Sequence, residues 1–186
     1  MTSCGDIPQG GGGGIAKLII KLNIERLLEL RQGSPLSYPL PDQIKRIAII
    51  DDDKTSCSLS SRLVSTFIKK IGGKSSICQL TTLSKLSLPT QDDIIIITAN
   101  SLAEIEQAPQ AIIRHQIDLV FTDFNMPGIN GGALTAQIRK AEHPALIIGL
   151  TGNPDNFEAF AQAGADYSFA KPFDFLVEMP RLLISG

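Results

Sequence analysis

The sequence predicts an α/β fold: a doubly wound, five-stranded parallel sheet over residues 44–186, preceded by an N-terminal helical extension. Three observations carry this expectation. Short apolar runs alternate with longer helical stretches, the pattern of strands covered on both faces by crossover helices. The runs are Ile47-Ala48-Ile49-Ile50, Leu119-Val120-Phe121, Leu146-Ile147-Ile148-Gly149-Leu150 and Tyr167-Ser168-Phe169-Ala170. The connections between them are short, as right-handed βα units require. Each run also ends in polar residues, namely Asp51 with Asp52, Asp123, Thr151 and Lys171. The carboxyl ends of the strands are where sheets of this kind bind ligands.

Taken in order, residues 1–14 end in five glycines, Gly10 to Gly14, and are expected to be flexible. Residues 15–31 read as a helix. Ile15, Leu18, Ile19 and Leu22 lie on one face, while Ile20, Ile24, Leu27 and Leu28 fall on the other, so the cylinder needs cover on more than one side. That cover comes from the main domain or from self-association. Gly33 stops the helix, and Pro35, Pro39 and Pro41 make residues 33–43 a stiff linker. The main domain then reads as strand 46–50, helix 56–70, strand 94–98, helix 101–114, strand 118–122, helix 131–141, strand 145–150, helix 155–163, strand 167–170 and helix 173–184. Residues 72–93 form an insertion. Within it Ser76 to Leu80 competes with Ile94 to Ile97 for the second strand, and only one of the two is needed. With one helix following Lys171, no downstream effector domain is expected.

Composition narrows the function. The chain has 186 residues, 43% of them hydrophobic, which suits one domain with a real core plus an appendage. A net charge of −2 gives no electrostatic case for direct nucleic-acid binding, and 5% aromatic content without Trp argues against base-stacking surfaces. Cys4, Cys57 and Cys78 form neither a zinc pattern nor a disulfide framework, so a cytoplasmic location is expected. Lys17 and Lys21 interrupt the N-terminal apolar stretch, so neither a membrane span nor a signal peptide is read there.

The strand-end residues suggest phosphoryl chemistry. Asp51, Asp52 and Asp53 are a run of carboxylates, whose repulsion a cation would relieve. An all-oxygen site with one or two carboxylates suits Mg2+. The competing reading makes one Asp a helix cap and leaves the others solvated. Asp123 precedes Phe124-Asn125-Met126-Pro127-Gly128, where Pro and Gly end the strand and set the carboxylate at the mouth of a crevice. There it is able to attack a phosphoryl donor, or to serve as an ordinary strand-end Asp. Thr151, beside Gly152, offers a hydroxyl to a phosphoryl oxygen, or caps a helix. Lys171, next to Pro172 in a position that allows a cis bond, offers a point charge.

The combination resembles the receiver domain of two-component response regulators, a flavodoxin-like fold, over residues 44–186. The matching pieces are Ile49-Ile50-Asp51-Asp52-Asp53, Ile117-Asp118-Leu119-Val120 through Asp123-Phe124-Asn125-Met126-Pro127-Gly128, Leu150-Thr151-Gly152, Ala163-Gly164-Ala165-Asp166 and Lys171-Pro172-Phe173. The resemblance implies a phosphoacceptor rather than an enzyme, with self-catalysed phosphorylation and dephosphorylation at most. Asp123 would take the phosphoryl group from a sensor histidine kinase or histidine phosphotransfer protein. Asp52, Asp123 and the backbone carbonyl of Asn125 would bind Mg2+ directly, and Asp51 largely through a water. Lys171 would pair with the phosphoryl oxygens and Thr151 would swing in to bond one of them. Asn125 and Asn153 would tune the lifetime of the acyl phosphate, and output would pass to a downstream effector protein. Residues 15–31 and the last two strand–helix units are the candidate homodimer faces. Two departures stand out. Ser168 occupies a switch position that is usually aromatic, with Tyr167 and Phe169 facing the other way. Asp52 and Asp123 also stand 71 positions apart, stretched by the insertion.

Other readings remain. Residues 47–55 also resemble the Asp-x-Asp-x-Thr opening of haloacid dehalogenase-like phosphatases, with Asp51 as nucleophile and Asp53 as general acid. That family needs further acids on a strand after its Lys, and only Asp174 and Glu178 remain there, in the last helix. A receiver fold kept as a phosphorylation-independent binding or dimerisation module is the second alternative. A C-terminal piece of a hybrid kinase is a third, suggested by Gly10–Gly14 and Ile15-Ala16-Lys17-Leu18-Ile19.

Overall fold

A computed structural model describes residues 44–70, 73–85 and 93–184. The expectations for residues 1–43, and part of the insertion, lie outside these described residues. The chain order is β1 (Arg46–Ile50), α1 (Lys54–Lys70), β2 (Lys74–Gln79), a 3-10 helix (Leu80–Lys85), β3 (Asp93–Ala99), α2 (Leu102–Arg114), β4 (Leu119–Asp123), α3 (Gly131–Lys140), β5 (Leu146–Thr151), α4 (Asn156–Ala163), β6 (Tyr167–Ala170) and α5 (Phe175–Ile184). The strands form one parallel sheet in the order β2-β3-β1-β4-β5-β6. None of the described helices is long and apolar enough to cross a membrane.

Burial explains which sequence runs became strands. Every residue of β4 and β5 is buried, as expected for central strands covered on both faces. Ile96, Phe121 and Ile147 are fully buried. The sheet has six strands, which corrects the expected five. Residues 74–79 and 93–99 are both strands, and they pair with each other in register from Lys74↔Asp93 to Gln79↔Thr98. Lys-Ser-Ser-Ile-Cys-Gln reads poorly as a strand because β2 is an edge, exposed or half-buried at every position.

Local capping sets the helix bounds. Asp53 Oδ1 accepts the N–H groups of Thr55 and Ser56, so α1 begins at Lys54, two residues earlier than the apolar pattern suggests. Ser101 caps α2, with its Oγ accepting from Glu104 N–H and donating to Glu104 Oε2. Asn130 caps α3, and Asp174 accepts from Leu176 and Val177 N–H to start α5. Gly164, left-handed at φ 89°, ends α4. At the amino ends of the strands, Arg139 holds the Gly164, His143 and Ala145 carbonyls and pairs with Asp166 at 2.7 Å.

The insertion is tied down through Glu104, which is only 3% exposed. Its carboxylate accepts from Thr81 N–H and Oγ1 on the 3-10 helix and from Asn100 N–H and Ser101 Oγ beside α2. Burial opposes the charge, but these bonds outweigh it and hold the carboxyl below its ordinary range. A carboxyl lowered on folding contributes stability that is present above its unfolded value and lost as pH falls through the folded one. Glu104→Ala should therefore cost about 2 kcal/mol at neutral pH. The gap in urea midpoint from the parent should close below roughly pH 4, near the free-carboxyl range. A gap independent of pH would mean that the side chain contributes packing rather than charge.

Candidate functional site

The strand order reverses direction between β1 and β4, because the chain leaves β1 toward β2 and β3 on one side and then continues as β4, β5 and β6 on the other. A crevice opens beyond the strand ends at such a point. Asp51 follows β1 and Asp123 ends β4, so the two acids flank it. Thr151 ends β5, with Leu150 in register opposite Asp123, and Lys171 follows β6. The Lys171 N–H donates to the Thr151 carbonyl at 2.8 Å, and the Lys171–Pro172 peptide is cis.

Lys171 Nζ lies 2.7 Å from Asp51 Oδ2 and 2.6 Å from Asp123 Oδ1, bridging the two acids. Asp51 also accepts from Ser56 Oγ at 2.7 Å and from Asp53 N–H at 3.0 Å. Asp123 Oδ2 accepts from Asn125 N–H at 2.9 Å. Oxygens of Asp51, Asp52 and Asp123 come within 4.8 Å of one another. Three carboxylates against one ammonium leave a charge of −2 in the crevice. Burial pushes the Asp123 carboxyl up, ahead of the opposing pull of Lys171. Burial works against the Lys171 ammonium, but hydrogen bonds to Asp123 and then Asp51 more than offset it and raise its pKa. One ammonium cannot neutralise both buried acids. An all-oxygen donor set with that excess fits a hard divalent cation such as Mg2+.

The sequence-derived site residues separate into groups. Asp51, Asp123 and Lys171 are in direct contact, and Asp52 is exposed at the rim of the same acidic cluster. Asp53, third in the acidic run, is a helix cap. Its hydrogen bonds from Ser56 and Thr55 N–H hold its carboxyl below the ordinary range. Asp174 likewise caps α5, so the general acid of the phosphatase alternative, Asp53, and one of the two acids that follow Lys171 are both occupied in capping. Asn125 contacts Asp123 through its N–H. The fully buried Thr151 hydroxyl accepts from Asn153 N–H at 3.1 Å and Asn156 Nδ2 at 2.9 Å, and donates to the Asn153 carbonyl at 3.2 Å. Ser168 is half-buried opposite Gly149, while Tyr167 and Phe169 stack together with ring centroids 6.1 Å apart.

Ser56 and Asn156 were missed by sequence reasoning, since neither belongs to a strand-end motif. So was Phe160, which lies across Gly149 where a β-carbon would fall inside its ring contacts, and meets Phe124 edge-on at 5.1 Å. Beside Lys171 a cavity of about 370 Å³ opens between α1 and the β6–α5 connection, lined in part by Leu59, Leu63, Pro172 and Phe173.

Residues 81–179 match the family model of the response regulator receiver domain. That stretch contains Asp123, Thr151 and Lys171 but begins after Asp51 and Asp52, whose place at the site rests on the geometry above. The sensory transduction protein LytR of Streptococcus agalactiae is 36% identical over 73 residues, covering 38% of this chain and 29% of that protein. Transcription factor SKN7 of Chaetomium thermophilum is 26% identical over 134 residues, covering 71% of this chain and 14% of that protein. The chain thus spans under a third of the length of these curated relatives. Among solved structures, the receiver domain of the response regulator NarL from Mycobacterium tuberculosis aligns with a TM-score of 0.54 at 16% identity. It covers 81% of this chain and all of that one, a likeness of fold.

Proposed function

This chain belongs to the response regulator receiver domain family of two-component signalling, and from that premise we propose that Asp123 is its phosphoacceptor. A carboxylate oxygen of Asp123 attacks the phosphorus of a phosphohistidine on a sensor kinase or phosphotransfer protein. The P–O bond forms as the P–N bond breaks, and the nitrogen keeps the electron pair. The observation that carries this reading is the Lys171 ammonium set against Asp123 at 2.6 Å with Asp51 as its second partner. Phosphoryl transfer asks a protein for positioning and charge neutralisation more than for acid–base work.

Asp51, Asp52 and Asp123, with the Asn125 carbonyl, would hold Mg2+, which supplies charge neutralisation for the phosphoryl oxygens. Lys171 keeps Asp123 oriented and then follows the new negative charge. The Thr151 hydroxyl donates to a phosphoryl oxygen after leaving its present partners. Asn125 and Asn153 flank the site and influence the lifetime of the acyl phosphate. The chain is a phosphoacceptor with self-catalysed turnover at most. Its output is a phosphorylation-dependent contact with an effector protein.

Intact-protein mass after incubation with Mg2+ and a small acyl-phosphate donor tests the reading. The expected result is a gain of one phosphoryl group that is stable to acid and lost in base. No gain, with no Mg2+ binding, would replace this reading with the phosphorylation-independent binding module, which Ser168 at the switch position favours. Rapid release of free phosphate with turnover would return weight to the phosphatase.

A further inference from the structure

The Thr151 hydroxyl is fully buried, and three hydrogen bonds to protein partners set where it points. Two of them belong to Asn153, in the connection after β5. The third, Asn156 Nδ2 at 2.9 Å, is the side chain of the first residue of α4. A hydroxyl has one proton, and here the Asn153 carbonyl receives it. To donate to a phosphoryl oxygen, Thr151 must turn away from that carbonyl and surrender the bond from Asn156. The helix behind Asn156 is held about one turn further on by Phe160, wedged between Gly149 and Phe124. The amino end of α4 is thereby linked to the hydroxyl by one side-chain bond, while its carboxyl half is seated on the sheet.

We infer that Asn156 is a positioning residue, a latch that holds Thr151 in its resting orientation and transmits the loss of that bond to the start of α4. This rests on the phosphoacceptor reading of Asp123. Asp155, the N-cap residue of α4, makes no side-chain capping bond of its own; the other side-chain contact at this end is Asn153 Oδ1, which accepts the Asp155 N–H at 3.1 Å. One hydrogen bond favouring the resting orientation shifts the balance between orientations by about two- to ten-fold. Its removal therefore makes the inward orientation of Thr151 easier to reach.

The test is a double-mutant cycle on the full chain, read as the labelling rate of Asp123 by a small acyl phosphate with Mg2+, for the parent, Asn156→Ala, Thr151→Val and the double variant. Alanine is well tolerated in a first helical turn, so α4 should persist. Asn156→Ala should label about two- to ten-fold faster than the parent. In the Thr151→Val background the same substitution should change nothing, because the latch has lost its partner. Equal acceleration in both backgrounds would make Asn156 a general helix-end residue and overturn the latch. So would a parent-like rate for Asn156→Ala. A parent that takes no label would overturn the phosphoacceptor reading and the latch with it, and so is distinguishable from failure of the latch alone.

Discussion

Asp123→Asn should abolish phosphoryl acceptance while leaving a protein whose urea midpoint equals or exceeds the parent's. The amide is nearly isosteric, and its single oxygen is able to keep either the bond from Asn125 N–H that Oδ2 now accepts or the one from Lys171 Nζ at Oδ1. It has no carboxylate lone pair with which to form an acyl phosphate, so the loss of labelling should be complete. Stability moves the other way because Asp123 is only 7% exposed and its carboxyl is pushed up, chiefly by burial. Removing a negative charge from a crevice that carries an excess of two leaves Lys171 paired with Asp51, and one buried repulsion disappears. Mg2+ binding should weaken, since one of three carboxylates is gone. Label retained by the variant would place the acceptor at another Asp. A midpoint well below the parent's would mean that the ion pair with Lys171 outweighs the burial of Asp123.

The site was legible in the sequence because the fold makes it so. In a parallel sheet every strand delivers its last residue to the same edge, so Asp51, Asp123, Thr151 and Lys171 could be placed together from four apolar runs, without knowledge of strand order. What could not be read depends on contacts between elements. The three acids Asp51, Asp52 and Asp53 are identical in the sequence, yet one is buried against Lys171, one is exposed and one caps α1. Only the direction of the chain after β1 separates them. Asn156 reads as an ordinary polar residue at a helix start, and its bond to Thr151 depends on the turn through Asn153 and Pro154. The edge strand β2 is legible only as a competing candidate at Ser76 to Leu80, because period and apolarity report burial, and an edge has little of it. Phe160 and Gly149 illustrate the same limit. Each is unremarkable alone, and the ring occupies the space that the glycine leaves.

Lys171→Met should destabilise the protein by about 2 kcal/mol in the presence of a chelator, the opposite sign to Asp123→Asn. Breaking a buried ion pair from one side commonly costs about 3–5 kcal/mol. The Lys171 side chain is 29% exposed, and screening by solvent reduces the figure. The variant leaves Asp51 and Asp123 both mostly buried and facing each other without a cation between them. Because the ammonium has a raised pKa, its contribution is fully present below the unfolded value, about 10.4. It is lost only as pH rises through the higher folded value, so the gap between parent and variant should hold from neutral pH to about pH 10 and narrow above that. Mg2+ then supplies the decisive comparison. With the competing ammonium gone, the acidic cluster should bind the ion more tightly, and a ligand stabilises the folded state in proportion to the logarithm of its occupancy ratio. The rise in melting temperature on adding Mg2+ should therefore be larger in Lys171→Met than in the parent, and smaller in Asp123→Asn. Equal rises in all three proteins would remove the metal from this cluster. A loss in Lys171→Met that Mg2+ cannot restore would show that the ion does not stand in for the ammonium between Asp51 and Asp123.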